Sequence, residues 1–412
     1  MMIERVIFLV GAVILFSFGC NTKATELEEI RFGGWNYVWM NDVKKSLEKG
    51  EAEFRPAYET LLADAEKALE GGVYSVTFKD MVPPSGSKND YMSMGPYWWP
   101  DVEKPDGLPY IRRDGEVNPE RDNLDSAQKS KMINSVRALS LAWFFNERDE
   151  YAEKAVELLR VWFLNAETLM NPHLNYGQSI PGRTEGRFIG VIDGRSFAVL
   201  VDAIALLETS NALTKEEKDG IRQWFKRYFL WLTESDFGKE EDDYKNNHSV
   251  AYDVQSCGIA YFLGDDEFVK RKIGEMPQRR IDSMIESDGR QPHELIRTKA
   301  FGYSVSNLRN FFDAGAIGLN IGVSIFEYSN TKGGSLQKAL EYLIGYIGRE
   351  QEWPYEQISG WEQTENNLGF LIRKAARIYE NSAYQSLWEE TFSERMKGDW
   401  RLLVEPGLNG LN

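Results

Sequence analysis

Residues 128–146 read QKSKMINSVRALSLAWFFN. Met132, Val136, Leu139 and Leu141 lead into Trp143, Phe144 and Phe145 at the three- to four-residue spacing that lays an apolar stripe along one face of an α-helix. The pattern returns at 151–165 with Ala155, Leu158, Leu159 and Trp162. Two amphipathic runs joined by a few polar residues read as a helical hairpin.

Working outward, similar stretches lie near 196–207, 215–231, 250–263, 268–285 (interrupted at Pro277), 308–328, 336–347 and 366–379. Thr214 before Lys215-Glu216-Glu217, and Ser335 before Leu336, supply N-cap hydroxyls. No sustained period-two run competes, and no strand-rich tail marks a β-sandwich. The chain is therefore expected to be all-α, an incomplete α/α toroid (barrel) built from helical hairpins. Inner helices would line a cavity and loops at one end would build a groove. Periodicity alone leaves another large helical array open.

At 412 residues with 42% hydrophobic content, the chain can bury a large core without staples. Its ends read differently. Arg5 precedes an uncharged apolar stretch from Val6 to Gly19, too short to span a bilayer comfortably and of signal-peptide length. Ser17-Phe18-Gly19-Cys20 then forms a loose lipobox. The expectation is a lipoprotein-type signal peptide over 1–20, a linker over 21–30 and one toroid domain over 31–412. Cys20 would carry the lipid anchor, the chain's one link to a membrane, with periplasmic or outer-membrane placement. Cys257 would then be the one remaining thiol, so no intramolecular disulfide is expected. The oligomeric expectation is a monomer or dimer.

Net charge is −16, and no basic run is long enough for a nucleic-acid groove. The three histidines, His173, His248 and His293, form no HExxH pattern, and neither a CxxC motif, a P-loop nor a GxSxG elbow occurs. No metal and no cofactor is expected.

Two long segments break the helical pattern: Val82–Asp101 (VPPSGSKNDYMSMGPYWWPD) and Leu174–Gly194 (LNYGQSIPGRTEGRFIGVIDG). Irregular connections of this length are usually functional, and their Tyr, Trp and Arg content suits sugar rings and carboxylates. Lys88, Tyr91, Tyr97 and Trp98 are candidate lid or stacking residues, with Trp99 beside them. Tyr176, Gln178, Arg183 and Arg187 are candidate substrate contacts. Loop packing and structural ion pairs are the alternatives. Trp353, Tyr355, Glu356 and Trp361 read better as core.

The chemistry-bearing candidates lie further on. Asn246-Asn247-His248-Ser249 stands just before a predicted helix, where amides and an imidazole suit a carboxylate, an N-cap being the alternative. Pro292-His293-Glu294-Leu295-Ile296-Arg297 continues to Tyr303; if helical, Arg297 and Tyr303 fall within two turns and flank one cavity.

Four segments, DYMSMGPYWWPD (90–101), YGQSIPGRTEGRFIGVIDG (176–194), NNHS (246–249) and PHELIRTKAFGYS (292–304), resemble in order the bacterial alginate lyase superfamily of polysaccharide lyases. The resemblance implies an α/α toroid lyase domain that cleaves a 1,4-linked uronic-acid polymer, alginate (polymannuronate) or glucuronan, by β-elimination. It places Asn247 and His248 on the carboxylate-neutralising amide and catalytic histidine, and Arg297 and Tyr303 on the arginine and catalytic tyrosine. Asn246 and His293 join the substrate contacts, and the partner is an anionic polysaccharide.

Elimination removes the C5 proton beside the carboxylate while the C4 oxygen leaves. Donors such as Asn247, His248 and Arg297 would stabilise the dianionic intermediate. Where proton and leaving oxygen share a side, Tyr303, its pKa lowered by Arg297 and His248, serves as base and then acid, the favoured assignment. Where they lie on opposite faces, His248 is the base and Tyr303 the acid. An acidic protein acting on a polyanion needs a local basic patch. The rival readings are an α/α-barrel glycoside hydrolase, for which Glu294 and Asp193 are conceivable carboxylates, and a non-catalytic glycan-binding lipoprotein.

Overall fold

The apolar run at 128–146 lies in a 22-residue helix, Asp125–Asn146, in a computed structural model that describes residues 30–408. The expected signal peptide, Cys20 and nearly all of the linker lie outside the described residues. In chain order the longer helices are α1 (Tyr37–Glu48), α2 (Arg55–Glu70), α3 (Asp125–Asn146), α4 (Asp149–Leu159), α5 (Phe197–Leu207), α6 (Lys215–Glu234), α7 (Asp236–Asp242), α8 (Asn247–Leu263), α9 (Asp266–Met276), α10 (Ala300–Leu319), α11 (Leu336–Ile344), α12 (Trp361–Ile378) and α13 (Ser382–Thr391).

The inner wall runs α3, α5, α8, α10, α12, each packed on the next. Outer helices back it: α2 and α4 on α3, α6 and α9 on α8, α13 on α12. This is an α/α toroid. Sequence separates the layers. Outer helix α6 buries Ile221, Trp224, Phe225, Tyr228 and Leu232, one stripe at i, i+3, i+4, i+7 and i+11. Inner helix α8 is buried from Ser249 to Phe262, packed on both faces, and uses small residues where neighbours close in. A Cβ on Gly258 would stand 2.8 Å from that of Ala198 on α5.

The expected caps are present. Thr214 and Glu217 form a reciprocal capping box and Ser335 accepts from the Lys338 amide, each contributing about 1 kcal/mol. At Pro277 the helical path does not stop; it widens into a π-turn over Pro277–Ile281. The expected helix at 308–328 is instead α10, which starts at Ala300 and ends at Leu319. Gly322, at φ +76°, turns the chain out of the helix beyond that point.

The two irregular segments are zipped together. β1 (Met92–Met94) pairs in parallel with β4 (Tyr176–Ser179), and β2 (Trp98–Trp99) pairs antiparallel with β3 (Ile111–Arg112). The second segment folds so tightly that a Cβ on Gly190 would meet the Gly177 carbonyl at 2.3 Å. The two ribbons roof the end of the barrel at which α8 and α10 begin, and so make one wall of a cleft.

Candidate active site

The cleft has a volume of about 890 Å³, and Asn247, His248, Arg297 and Tyr303 all line it. Asn246 caps α8 by accepting from the His248 amide, which puts Asn247 and His248 in that helix's first turn rather than ahead of it. The positive end of the helix dipole therefore faces a region suited to anions. Glu294, buried, accepts from the Asn247 backbone amide at 2.8 Å and from Nδ2 at 2.7 Å, fixing the carboxamide. His248 Nδ1 meets Glu241 Oε1 at 2.8 Å, which leaves Nε2 as the ring nitrogen available to the cleft. Burial pushes the Glu241 carboxyl up, with the His248 charge opposing it.

Arg297 and Tyr303 do not share one helix. Pro292–Leu295 is a single turn, Arg297 lies in the bend that follows, and Tyr303 sits in the first turn of α10. Lys299 pairs with Gln357 as an isolated bridge, and this pulls the chain out of helical geometry between them. The two side chains still meet. Arg297 Nη2 donates to the Tyr303 hydroxyl at 2.8 Å, and its guanidinium lies 3.9 Å from the ring centroid.

Tyr303 in turn donates to the Tyr97 hydroxyl at 2.7 Å. Burial and the Tyr97 contact push its pKa well above the ordinary phenol value, although Arg297 pulls the other way. The expectation of a lowered pKa is thus overturned: desolvation outweighs the guanidinium. The resting group is a phenol.

Asp114 explains why Arg297 alone does not prevail. The carboxylate takes Arg297 Nε at 3.1 Å and Nη2 at 2.8 Å, and also binds Arg112. Burial raises Asp114, but the two guanidiniums outweigh it and hold the carboxyl well below the usual range.

Of the proposed substrate contacts, Tyr97, Trp98, Gln178, Arg187, Asn246 and His293 line the cleft. Gln178 holds a positive φ of 48°, and Arg187 braces it through the Gln178 carbonyl and side chain at 2.9 and 3.0 Å. Four others do not line it. Tyr91 is fully buried, its hydroxyl donating to Asp193, so it cannot stack on a sugar. Lys88 is exposed away from the cleft, and its carbonyl receives Lys79. Arg183 donates to the Tyr110 carbonyl and lies 5.2 Å from the Trp98 ring centroid, supporting that ring. Tyr176 packs beside His173. Trp353 and Trp361 join Phe301 in the core, as expected.

Arg112, Lys245, Glu241, Glu294 and Asp114 are the site residues that sequence reasoning did not single out for this chemistry. Arg112, Arg187, Lys245 and Arg297 line the cleft against one acid, Asp243, a local reversal of the chain's charge. Neither conceivable hydrolase acid is placed for that work. Glu294 is occupied by Asn247, while Asp193 accepts from Tyr91, Ser93 and Gln178.

The alginate lyase family model matches residues 75–353, more than half the chain. The chain belongs to the alginate lyase family. It is a polysaccharide lyase. An alginate lyase from Bacteroides ovatus is 42% identical, with a TM-score of 0.87 over 90% of this chain and 98% of that one. Alginate lyase A1-III from Sphingomonas species A1 shares the fold at 14% identity, with a TM-score of 0.56 over 85% of this chain and 90% of that one. A histidine-to-alanine variant of that enzyme, complexed with a tetrasaccharide, superposes at 0.57, again at 14% identity, over 87% and 91%. No curated protein matches the chain by sequence. In this family member the matched region holds the whole cleft: both ribbons, the first turn of α8 and the Arg297–Tyr303 pair.

Proposed function

We propose that this lyase cleaves a 1,4-linked uronic-acid polymer by β-elimination, leaving a 4,5-unsaturated end, with alginate as the first substrate and glucuronan as the second. The observation that carries the reading is the Tyr303 hydroxyl held between Arg297 and Tyr97 in a basic cleft lined by Asn247 and His248. The 42% identical relative described as an alginate lyase favours alginate over other uronans.

In this reading a uronate carboxylate binds at the first turn of α8. The second Nδ2 hydrogen of Asn247 and the helix dipole stabilise the charge that grows there as C5 loses its proton. Tyr303, a phenol at rest, protonates the departing C4 oxygen. Arg297 stabilises the phenolate left behind. On a sugar whose C5 hydrogen and C4 oxygen share a side, the same hydroxyl oxygen takes the C5 proton as its own proton passes to the C4 oxygen, so Tyr303 ends the step as a phenol again. On one whose groups lie on opposite faces, His248 Nε2 takes the proton and Glu241 holds the ring.

Polymannuronate, polyguluronate, glucuronan and hyaluronan, each incubated with the enzyme, test this by ultraviolet absorbance. Unsaturated ends from alginate blocks support the reading, and their absence on every uronan rejects it. Export with lipidation at Cys20 belongs to the same proposal. Palmitate labelling of intact cells should mark the wild type and spare a Cys20→Ser variant; equal labelling of both would reject it.

A further inference from the structure

Beneath the cleft lies a second cavity of about 400 Å³, in the bore of the toroid. The Phe188–Ser196 segment separates the two: Phe188, Ile189 and Ile192 line the cleft above, while Arg195 and Ser196 line the bore below. Chain ends close the bottom, Gly33–Trp35 on one side and Trp400, Arg401 and Glu405 on the other.

Charge in this bore does not balance locally. Lys374 pairs with Asp313 at 2.8 Å and approaches Glu405 at 3.7 Å. Arg401 pairs with Asp399 at 2.7 Å. Asp202 is engaged by the backbone amides of Gly33, Gly34 and Trp35 at 2.7 to 3.0 Å. Arg309 reaches Asp313 only at 3.6 Å. Two guanidiniums remain. Arg195 donates from Nη1 to the neutral Asn310 carboxamide at 2.8 Å. Arg137 lies over Trp400 with its Nε buried and without an acceptor among the described residues. Neither forms an ion pair among the described residues. Burial and the neighbouring Arg309 charge press both guanidiniums down, Arg137 to about 10.

Arg309 repels both Arg137 and Arg195 across this space, opposed by Asp202 and Glu405 at Arg137 and by Asp313 at Arg195, and an anion bound among the three would relieve the repulsion that remains. A buried donor without an acceptor forfeits its hydration with nothing in return. The planar guanidinium fork matches an oxyanion in bidentate fashion. We propose that the bore is a second anion site, in which Arg137, Arg195 and Arg309 hold a small oxyanion separate from the polymer in the cleft. A carboxylate-bearing monosaccharide and an inorganic oxyanion share the required chemistry.

Thermal unfolding of the folded chain at fixed ionic strength in chloride, with millimolar phosphate or mannuronate added, tests the proposal. The expected result is a saturable Tm rise of about 2 °C at ten times the dissociation constant. The rise persists in the cleft variant Lys245→Gln and is absent in Arg137→Gln and Arg195→Gln. In chloride alone, those two bore variants melt no lower than the wild type, because each removes a repelling charge. A rise at lower mannuronate than phosphate concentration names a sugar acid as the ligand; the reverse order names an inorganic anion. No saturable rise with either probe overturns the proposal. So does a rise that survives Arg137→Gln, or bore variants that melt well below the wild type in chloride.

Discussion

The Tyr303 hydroxyl donates to the Tyr97 hydroxyl at 2.7 Å, joining the first turn of α10 to the aromatic ribbon 206 residues earlier in the chain. The contact ties the roof of the cleft to its reacting group and helps keep Tyr303 protonated at rest. Tyr97→Phe removes the acceptor that stabilises the phenol. The Tyr303 ionisation should therefore shift to lower pH, and the alkaline inflection of kcat/KM should shift with it. An inflection identical to the wild type's would show that Tyr97 does not tune this group.

Glu241 is argued to act through His248. Its Oε2 is buried without a partner among the described residues, so the carboxylate is costly to the fold and is retained for the ring it orients. Glu241→Gln should lower kcat by about 10²-fold or more with little change in KM, while Tm holds or rises. A fall in Tm together with unchanged kcat would assign Glu241 to stability alone.

Lys245 is exposed at the cleft, between the acidic end of α7 and the cap of α8. Its charge should assist polyanion binding over long range without touching the chemistry. Lys245→Gln is expected to raise KM about 3-fold at low ionic strength and leave kcat unchanged. The difference should vanish at high salt, where such charges are screened. A salt-independent KM effect would point to a direct contact instead.

Asp202 gives the fold a pH signature. Burial raises its pKa to about 6, although three backbone amides favour the charged form. An unfolded Asp titrates near ~3.9. The folded state therefore binds the proton more tightly, and the stabilisation is fully present below about pH 4 and lost as pH rises through about 6. Acidification from about pH 7 to 5 should raise Tm less in Asp202→Asn than in the wild type. Asp125, also raised to about 6, and the buried Glu241 and Glu294 carboxyls, both raised, contribute to the part that remains. Equal pH dependence in both proteins would contradict the assignment.

The all-α architecture was legible because helix formation leaves a local signature. The stripe at 128–146 predicted the end of α3 and the Thr214 cap the start of α6, each helix running three residues further at its other end. Asn247, His248, Arg297 and Tyr303 were legible as a set of motifs. Their partners were not, because those contacts cross long stretches of chain. Asp114 reaches Arg297 over 183 residues, and no spacing rule encodes that meeting. Tyr91 and Tyr97 look alike in sequence, yet one is sealed against Asp193 and the other opens on the cleft. Glu241 sits in an acidic run that reads as solvated, and the break between α7 and α8 removes any helical spacing that would tie it to His248. The direction of the Tyr303 shift is illegible in the sequence for a similar reason, since burial is a property of the packed molecule and Arg297 is visible without it.

The most direct test of the account counts unsaturated ends and new reducing ends in one digestion of polymannuronate, for the wild type and for Tyr303→Phe. Elimination predicts equal numbers of the two for the wild type and a loss of both, by about 10³-fold or more, for the variant. Reducing ends without unsaturation, or a Tyr303→Phe enzyme of undiminished rate, would contradict it.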